Sequence, residues 1–392
     1  MNNFEFISPT KLYFGKKQEE RIGEIISSYG FSSVLFVYGQ NSIKRIGLYD
    51  KVIHSLNEHH IEYVELGGIL PNPDIEDVKK GLDLVKKNNL ELILCVGGGS
   101  VIDTGKLIAN AYYYDGDPFD ISLKKYLPTR ALPLGVILTN SASGSELSDS
   151  CVISSRTLNL KRGYNNVTNR PLFAIENPEL TLSLPLRLTG EGVVDILSHT
   201  FERFFCESSE EELCDYLAIG VMKNIIANGR IIAKDLNNYE ARANIMLCSS
   251  LSHNGLTSLG KDMKMPIHQL EHELSGFFPN ISHGQGLAIL IPAWMKVCYK
   301  SDEEKFIKFA EDVMLIDKNL ENNDKIELAI KELQEFFKLF ELPLYLKDYG
   351  IKDEDIEKMS LSLTNNRTKV FPSHIPLDYN LALKVYKQAK EQ

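Results

Sequence analysis

The amino-acid sequence predicts an α/β domain over residues 1–182 that is followed by an all-helical domain over residues 183–392. Three observations predict this fold class. Short apolar runs alternate with helix-like periodicities in the first half, long helical periodicities dominate from about Thr189 onward, and Ser183 and Pro185 mark a boundary between the two. A chain of 392 residues is also long enough to form two hydrophobic cores.

Five apolar runs in the first half predict strands, at residues 34–38, 61–66, 92–96, 133–138 and 172–175. Helix-like spacing separates them over residues 43–56, 75–87 and 101–111. Strands that alternate with helices form a parallel sheet that helices cover on both faces. In the second half, residues 215–228 and 303–313 are examples of the long helical patterns.

Composition and charge exclude several classes of protein. The net charge of −10, with basic and acidic residues interleaved, argues against a nucleic-acid partner. The longest apolar stretch, residues 287–295, is too short for a membrane span, and the first residues lack the features of a signal peptide. Six scattered cysteines without a Cys-x-x-Cys pair indicate free thiols. We therefore expect a cytoplasmic protein without a membrane or nucleic-acid partner.

A glycine-rich turn lies between the third predicted strand and the helix after it. Its sequence, GGGSVIDTGK over residues 97–106, includes Gly98, Gly99, Ser100 and Asp103. Glycines allow a ligand close to the backbone, and a helix N-terminus offers free N–H groups, so the turn suits the pyrophosphate of a dinucleotide. The motif is not Gly-x-Gly-x-x-Gly. A tight strand-to-helix turn with no ligand is an equally good interpretation of these residues alone.

A second glycine turn, residues 38–42, follows the first predicted strand and includes Gly39, Asn41 and Ser42. In dinucleotide-binding folds an acidic residue near such a strand end holds the ribose 2′-hydroxyl. This turn has no Asp or Glu, so no carboxylate within it would repel a 2′-phosphate. The turn therefore mildly favours NADP over NAD.

Five of the nine histidines fall between Thr189 and Gln285, namely His199, His253, His268, His272 and His283. Asp195 and His199 are four residues apart, as are His268 and His272, so each pair shares a helix face. A carboxylate and three imidazoles that converge would suit Zn²⁺ or Fe²⁺.

Each of these residues also has an ordinary structural interpretation. Asp195 can be a helix N-cap, and His272 with Glu271 and Glu273 can form a solvated ion-pairing patch. Asp195 lies in an apolar stretch, however, where an unpaired carboxylate would be costly to bury. A bound cation would remove that cost.

Taken together, the motifs resemble the iron-containing alcohol dehydrogenase family, in particular its butanol-dehydrogenase-like branch that often uses NADP. The resemblance rests on an ordered set of segments: FISPTKLYFG (6–15), PNP (71–73), GGGSVID (97–103), SGSE (143–146), GVVD (192–195), SHT (198–200), HQLEHELS (268–275), SHG (282–284) and LAIL (287–290). It implies a dehydroquinate-synthase-like dinucleotide-binding domain, a helical metal-binding domain, and hydride transfer between NAD(P)(H) and a small primary alcohol or aldehyde.

The resemblance also implies roles for individual residues. Those implied to bind the metal are Asp195, His199, His268 and His283, and His272 is implied to relay protons or orient the substrate. The residues implied to contact the coenzyme are Gly39, Asn41, Ser42, Asn72, Gly98, Gly99, Ser100, Asp103, Thr139 and Lys161. The second turn carries Gln40 and Asn41 where this branch often has glycines, so NAD and NADP both stay open.

Two other functions share some of these features. A lyase of the dehydroquinate-synthase kind would share the fold, the NAD and the metal, although residues 265–292 contain no Lys or Arg for a phosphorylated substrate. A relative that binds metal and dinucleotide without turnover is the other alternative. For the assembly we expect a homodimer, since two-fold homo-oligomers are the commonest.

Overall fold

The computed structural model of the chain describes residues 2–158, 160–206 and 212–391. They form two compact units. One unit spans Ile7–Leu184, and the other runs from Pro185 onward and includes residues 2–6. The chain therefore passes from one unit to the other between Leu184 and Pro185.

The first unit is built on a six-stranded sheet in which all neighbouring strands are parallel. The strand order is β1-β8-β5-β4-β2-β3, with bounds β1 Lys11–Phe14, β2 Ser33–Tyr38, β3 Glu62–Leu66, β4 Leu92–Gly97, β5 Leu134–Leu138 and β8 Phe173–Glu176. Strands β6 (Ser150–Ser155) and β7 (Leu160–Asn165) form a separate antiparallel hairpin. The predicted parallel sheet is confirmed.

Strand β1 and the hairpin were not predicted from the sequence. The four residues of β1 are exposed or half-buried at an edge of the sheet, and β7 buries only Tyr164. Such strands leave no apolar run in the sequence, because their side chains do not face a core on both sides.

The helices of the first unit are α1 (Ile22–Ser28), α2 (Ser42–Arg45), α3 (Leu48–Glu58), α4 (Ile75–Asn88), α5 (Gly99–Ala111) and α6 (Phe119–Ser122). The helix predicted over residues 43–56 is divided into α2 and α3. Gly47 lies between them with a φ of 71°, which a right-handed helix cannot accommodate.

Helices α3 and α5 cover opposite faces of the sheet. Leu92 and Leu94 of β4 share a hydrophobic core with α1 and α3, whereas Cys95 lies under Gly105 of α5. Successive residues of a strand point to opposite faces, so the connections after β2 and β4 leave in opposite directions. This is the switch point of a doubly wound sheet, where ligands bind beyond the carboxyl ends of the strands. The turns after β2 and β4 flank it.

The second unit is helical throughout its core. Its helices are α7 (Leu186–Phe204), α8 (Glu212–Ile232), α9 (Tyr239–His253), α10 (Pro266–Phe277), α11 (His283–Cys298), α12 (Glu303–Lys308), α13 (Asn322–Lys338), α14 (Asp353–Leu363) and α15 (Tyr379–Glu391). A π-helical turn, Phe309–Val313, extends α12. The prediction of a helical second domain is confirmed.

Helix α11 is the central helix of this unit. All its residues from Gly284 to Met295 are buried, and it contacts α7, α10, α13 and α15. The apolar stretch in the sequence is therefore a helix that is enclosed by other helices. In the described parts of the chain, no helix combines the length and the apolar character that crossing a membrane requires.

The close contact of α5 with the sheet yields a prediction about stability. A Cβ at Gly105 would lie 2.2 Å from Cys95 Sγ, whereas a Cβ at Gly220 in α8 would meet nothing within 4 Å. We expect Gly105→Ala to lower the free energy of unfolding by about 1–3 kcal/mol through overpacking. Gly220→Ala should raise it by roughly 0.5–1 kcal/mol through helix propensity. Urea melts of both variants test this, and equal midpoints would contradict it.

Candidate active site

Helix α7 brings the first two predicted ligands together inside the apolar core of the second unit. Asp195 and His199 are only 5% and 4% exposed, and every residue from Gly192 to Phe204 is buried. Because the two side chains are one helical turn apart, His199 Nδ1 lies 3.3 Å from Asp195 Oδ1. The predicted pairing of these residues on one helix face is present in the structure.

The other two predicted ligands approach the same oxygen from different helices. His268 lies in the first turn of α10, and its Nε2 is 3.7 Å from Asp195 Oδ1. His283 is the first residue of α11, and its Nε2 is 3.6 Å from that oxygen. The structure thus brings the four predicted ligands, which span almost 90 residues of sequence, around one carboxylate oxygen.

The donor atoms of Asp195, His199 and His268 lie within 4.8 Å of one another, close enough to hold one cation, and Nε2 of His283 lies 3.6 Å from Asp195 Oδ1. Ligands held tetrahedrally at ~2.1 Å from a cation lie about 3.4 Å apart, and the three imidazole nitrogens lie 3.3–3.7 Å from Asp195 Oδ1. Among the described residues, Asp195 Oδ1, His199 Nδ1 and His268 Nε2 are buried and have no hydrogen-bond partner. Buried polar atoms without partners are costly, so these residues fit a bound divalent cation.

The surroundings of the centre shift the pKa values of His199 and His268 in opposite directions. Burial, together with the nearby His253 and His268 rings, holds the pKa of His199 well below its usual value. Burial also disfavours protonation of His268, but the carboxylates of Glu202 and Asp195 outweigh it and raise the pKa of His268 to about 9. The centre is therefore a place where carboxylates favour a positive charge on or near His268.

Two glutamates that the sequence analysis did not assign to the centre contact its histidines. The Glu202 carboxylate is paired with Nδ1 of His268, and the Glu271 carboxylate is paired with Nδ1 of His283. Glu271 is completely buried, so the interpretation of this residue as part of a solvated patch is wrong. The sequence did contain a signal for Glu202, because Asp195, His199 and Glu202 are spaced so that they share one helix face.

Among the described residues, a second group of possible metal ligands, Glu271, His272 and His283, lies beside the group formed by Asp195, His199 and His268. His283 contacts residues of both groups: its Nδ1 faces Glu271, and its Nε2 lies 3.6 Å from Asp195 Oδ1. The Nε2 atom of His283 is therefore the one directed to Asp195. His272 lies beside the centre, with its ring centroid 5.8 Å from that of His283 and 6.3 Å from that of His268.

His253, the last residue of α9, also borders the centre. Its ring centroid lies 4.2 Å from that of His199, at an angle of 52°. The sequence analysis counted His253 among the five histidines of this region and gave it no role. No spacing signal connects it to the others, because it reaches the centre from a separate helix.

In the first unit, the predicted coenzyme residues gather at the carboxyl edge of the sheet. Gly98 and Gly99 lie at the N-terminus of α5, directly after β4. Gly39 follows β2 and Thr139 follows β5, which are the two neighbours of β4 in the sheet. The Thr139 N–H donates to the Gly97 carbonyl at 3.0 Å. Three adjacent strands thus present these turns side by side, as dinucleotide binding at a switch point requires.

The remaining predicted positions lie on segments next to these turns. Asn41 and Ser42 begin α2, and Asn72 has a left-handed backbone with a φ of 54°. Lys161 lies on β7 opposite Ser154, whose N–H donates to the Pro73 carbonyl at 2.9 Å. The hairpin therefore lies against the segment that carries Asn72.

Asp103 supports the glycine turn through contacts with the protein. Its carboxylate accepts hydrogen bonds from Ser145 Oγ at 2.7 Å and from the Val152 N–H at 3.0 Å. Lys106, one turn further along α5, is fully buried and donates to Ser145 Oγ and to the Ser150 carbonyl. Burial lowers the pKa of Lys106, and Asp103 opposes that effect. These contacts fix the start of α5 against the hairpin.

Comparisons with known proteins show which family the chain resembles. The model of the iron-containing alcohol dehydrogenase family matches residues 9–178, and the C-terminal model of the same family matches residues 189–383. NADH-dependent butanol dehydrogenase A of Clostridium acetobutylicum is 41% identical over 99% of this chain and 100% of its own. NADPH-dependent aldehyde reductase YqhD of Escherichia coli is 31% identical over 100% of both chains.

Solved structures give the same result. The crystal structure of NADH-dependent butanol dehydrogenase A from Thermotoga maritima superposes with a TM-score of 0.94 at 34% identity, and the match covers 100% of this chain and 99% of that one. Because both family models and full-length relatives match, the chain belongs to the iron-containing alcohol dehydrogenase family.

Proposed function

We propose that this protein is a metal-dependent alcohol dehydrogenase and aldehyde reductase that transfers a hydride between NAD(P)(H) and small primary alcohols or aldehydes. The observation that carries the proposal is the convergence of three imidazole nitrogens on the unpaired Oδ1 of Asp195. Family membership supports the same activity, because named relatives are butanol dehydrogenases and aldehyde reductases.

In this proposal Asp195, His199, His268 and His283 hold the cation. A divalent cation bound there supplies Lewis acidity that stabilises negative charge on the substrate oxygen, and the nicotinamide supplies or accepts the hydride. The protein keeps the four donors in place with buried helices, so little reorganisation is needed on binding. Three imidazoles and one carboxylate suit Fe²⁺, as the family name implies, and Zn²⁺ equally well.

His272 is proposed to orient the substrate or to relay its proton. It lies one turn after His268 on α10, and its ring centroid is 5.8 Å from that of His283. It is half-buried, so its ring can exchange protons with solvent. A side chain that adjoins the centre but is not needed as a ligand is suited to proton transfer.

The turns after β2, β4 and β5 are proposed to hold the coenzyme, with the pyrophosphate at the N-terminus of α5. The turn after β2 contains no carboxylate, but a carboxylate of the neighbouring strand β3 lies close to it. Glu65 of β3 accepts hydrogen bonds from Tyr38 Oη at 2.6 Å and from Tyr49 Oη at 2.8 Å. This negative charge disfavours a 2′-phosphate, so we propose that NADH is accepted at least as well as NADPH.

The finer details of substrate, assembly and location are proposals as well. The relatives' names suggest aliphatic substrates such as butanal. A homodimer is proposed because two-fold assemblies are the commonest. A reducing, cytoplasmic setting is proposed because the six cysteines are buried and are scattered along the sequence without a Cys-x-x-Cys pair.

The first prediction concerns the activity itself. The purified protein should oxidise NADH and NADPH, followed by nicotinamide absorbance, when aldehydes from acetaldehyde to hexanal are supplied. Chelation should abolish turnover, and Fe²⁺ or Zn²⁺ should restore it. Asp195→Asn should be inactive because it removes the anionic ligand, whereas Asp262→Asn, an exposed substitution outside the centre, is the matched control. Turnover that survives complete metal removal would reject the proposed mechanism.

A second prediction tests the pyrophosphate site. Gly98 has extended backbone angles, and a Cβ there would meet nothing closer than Asn140 Cβ at 3.4 Å, an ordinary contact. Gly98→Ala should therefore fold normally but obstruct the approach of the pyrophosphate. We expect the Kd for NADH to rise about tenfold, or ~1.4 kcal/mol, in fluorescence titrations. An unchanged Kd would place the coenzyme elsewhere.

A third prediction separates His272 from the ligands. His272→Ala should keep the metal content of the unaltered protein, measured by elemental analysis, because the four donors around Asp195 remain. Its kcat should fall about 100-fold, with an altered pH profile, if the side chain transfers protons. Full turnover with the original pH profile would remove His272 from the mechanism.

A further inference from the structure

Two buried carboxylates stand behind the metal-binding histidines and connect the three helices that carry them. Glu202 belongs to α7 and contacts His268 of α10, and Glu271 belongs to α10 and contacts His283 of α11. Helices α7 and α10 thus each supply a carboxylate that contacts a histidine of another helix. Glu202 is 2% exposed and Glu271 is 0% exposed.

Glu202 performs two tasks with its two oxygens. Its Oε1 accepts the backbone N–H of Ile267 at 2.6 Å and lies 3.4 Å from that of His268, at the start of α10. Met265, which precedes this helix, provides no side-chain cap. Oε2 faces Nδ1 of His268. One carboxylate therefore caps a helix and fixes the ring of the histidine in its first turn.

Glu271 fits against α11 because residue 286 is glycine. A Cβ at Gly286 would lie 2.9 Å from Glu271 Cγ and 3.2 Å from its Oε1. Without that Cβ, the carboxylate reaches Nδ1 of His283, while Nε2 of the same ring lies 3.6 Å from Asp195 Oδ1. The glycine and the glutamate together set the direction of the His283 ring.

We infer that Glu202 and Glu271 are positioning residues that hold the Nδ1–H tautomers of His268 and His283 and so direct the Nε2 lone pairs to the cation. A carboxylate can only accept a hydrogen bond, so the proton of a neutral ring is kept on the nitrogen that faces it. The other nitrogen is then free to bind metal. The carboxylate also makes the ring a stronger donor. This inference rests on the metal centre of the proposed function.

Glutamine at either position separates positioning from packing. The amide has nearly the same size as the carboxylate, and at position 202 its oxygen can still accept the Ile267 N–H. Its NH₂ group, however, donates, so it favours the ring tautomer whose proton is on Nε2. In that tautomer a proton occupies the Nε2 lone pair that would otherwise bind the cation. A merely structural role for the carboxylates would not predict a loss of metal affinity.

The experiment measures Zn²⁺ affinity by competition with a chromogenic chelator in the full-length protein. We expect Glu202→Gln and Glu271→Gln each to raise the Kd by roughly 10–100-fold. Glu273→Gln, two residues from Glu271 on the same helix, is the matched control and should bind as the unaltered protein does. Co²⁺-substituted variants should also show a changed visible absorption spectrum, because the ligand field depends on ring orientation.

Melting of the metal-free proteins completes the test. Metal-free Glu202→Gln should melt near the unaltered protein because the helix cap is kept, whereas Glu202→Ala should melt lower. Variants that bind Zn²⁺ as tightly as the control would overturn the inference. So would Glu→Gln variants whose weaker binding is matched by an equal loss of metal-free stability. An unaltered protein that binds no metal would instead reject the proposed centre.

Discussion

A carboxylate oxygen that has no hydrogen-bond partner among the described residues, enclosed in an apolar helix bundle, is the constraint on which the second unit depends. Asp195 lies on a helix whose neighbouring residues are buried hydrophobic side chains, and three imidazole nitrogens lie 3.3–3.7 Å from its Oδ1. An uncompensated buried charge costs several kcal/mol, about as much as a domain's whole margin of stability. The helices that deliver His268 and His283 are arranged so that a cation can compensate it. The proposed metal site and the stability of the helix bundle therefore both depend on Asp195 Oδ1.

The sequence predicted the parts of this arrangement that leave a periodic signal. Strands β2 and β4 are apolar runs, and the pairs Asp195 with His199 and His268 with His272 are one helical turn apart. Edge strand β1 and the polar hairpin were missed because their side chains are not enclosed by a core. The helix over residues 43–56 was predicted without its break because the sequence alone does not show that Gly47 has a positive φ.

The supporting residues of the site were harder to predict than the ligands. Glu202 shares a helix face with Asp195 and His199, but nothing in the sequence shows that Glu202 and Glu271 are buried against imidazole nitrogens of other helices. His253 likewise reaches His199 from another helix. In the first unit, the sequence located the glycine turn, but not the contacts of Asp103 and Lys106 that fix the turn to the hairpin. Pairings between distant segments leave no local pattern.

The position of His283 at the start of the central helix has a consequence for how long the protein survives. Helix α11 is enclosed by four other helices, and its first residue, His283, also faces Asp195, beside which we propose that a cation binds. A cation bound there would join the first residue of α11 to helices α7 and α10. Metal binding and the free energy of local unfolding of α11 would therefore be thermodynamically linked. Metal supply would then govern the turnover of the polypeptide by proteases as well as the rate of its chemistry.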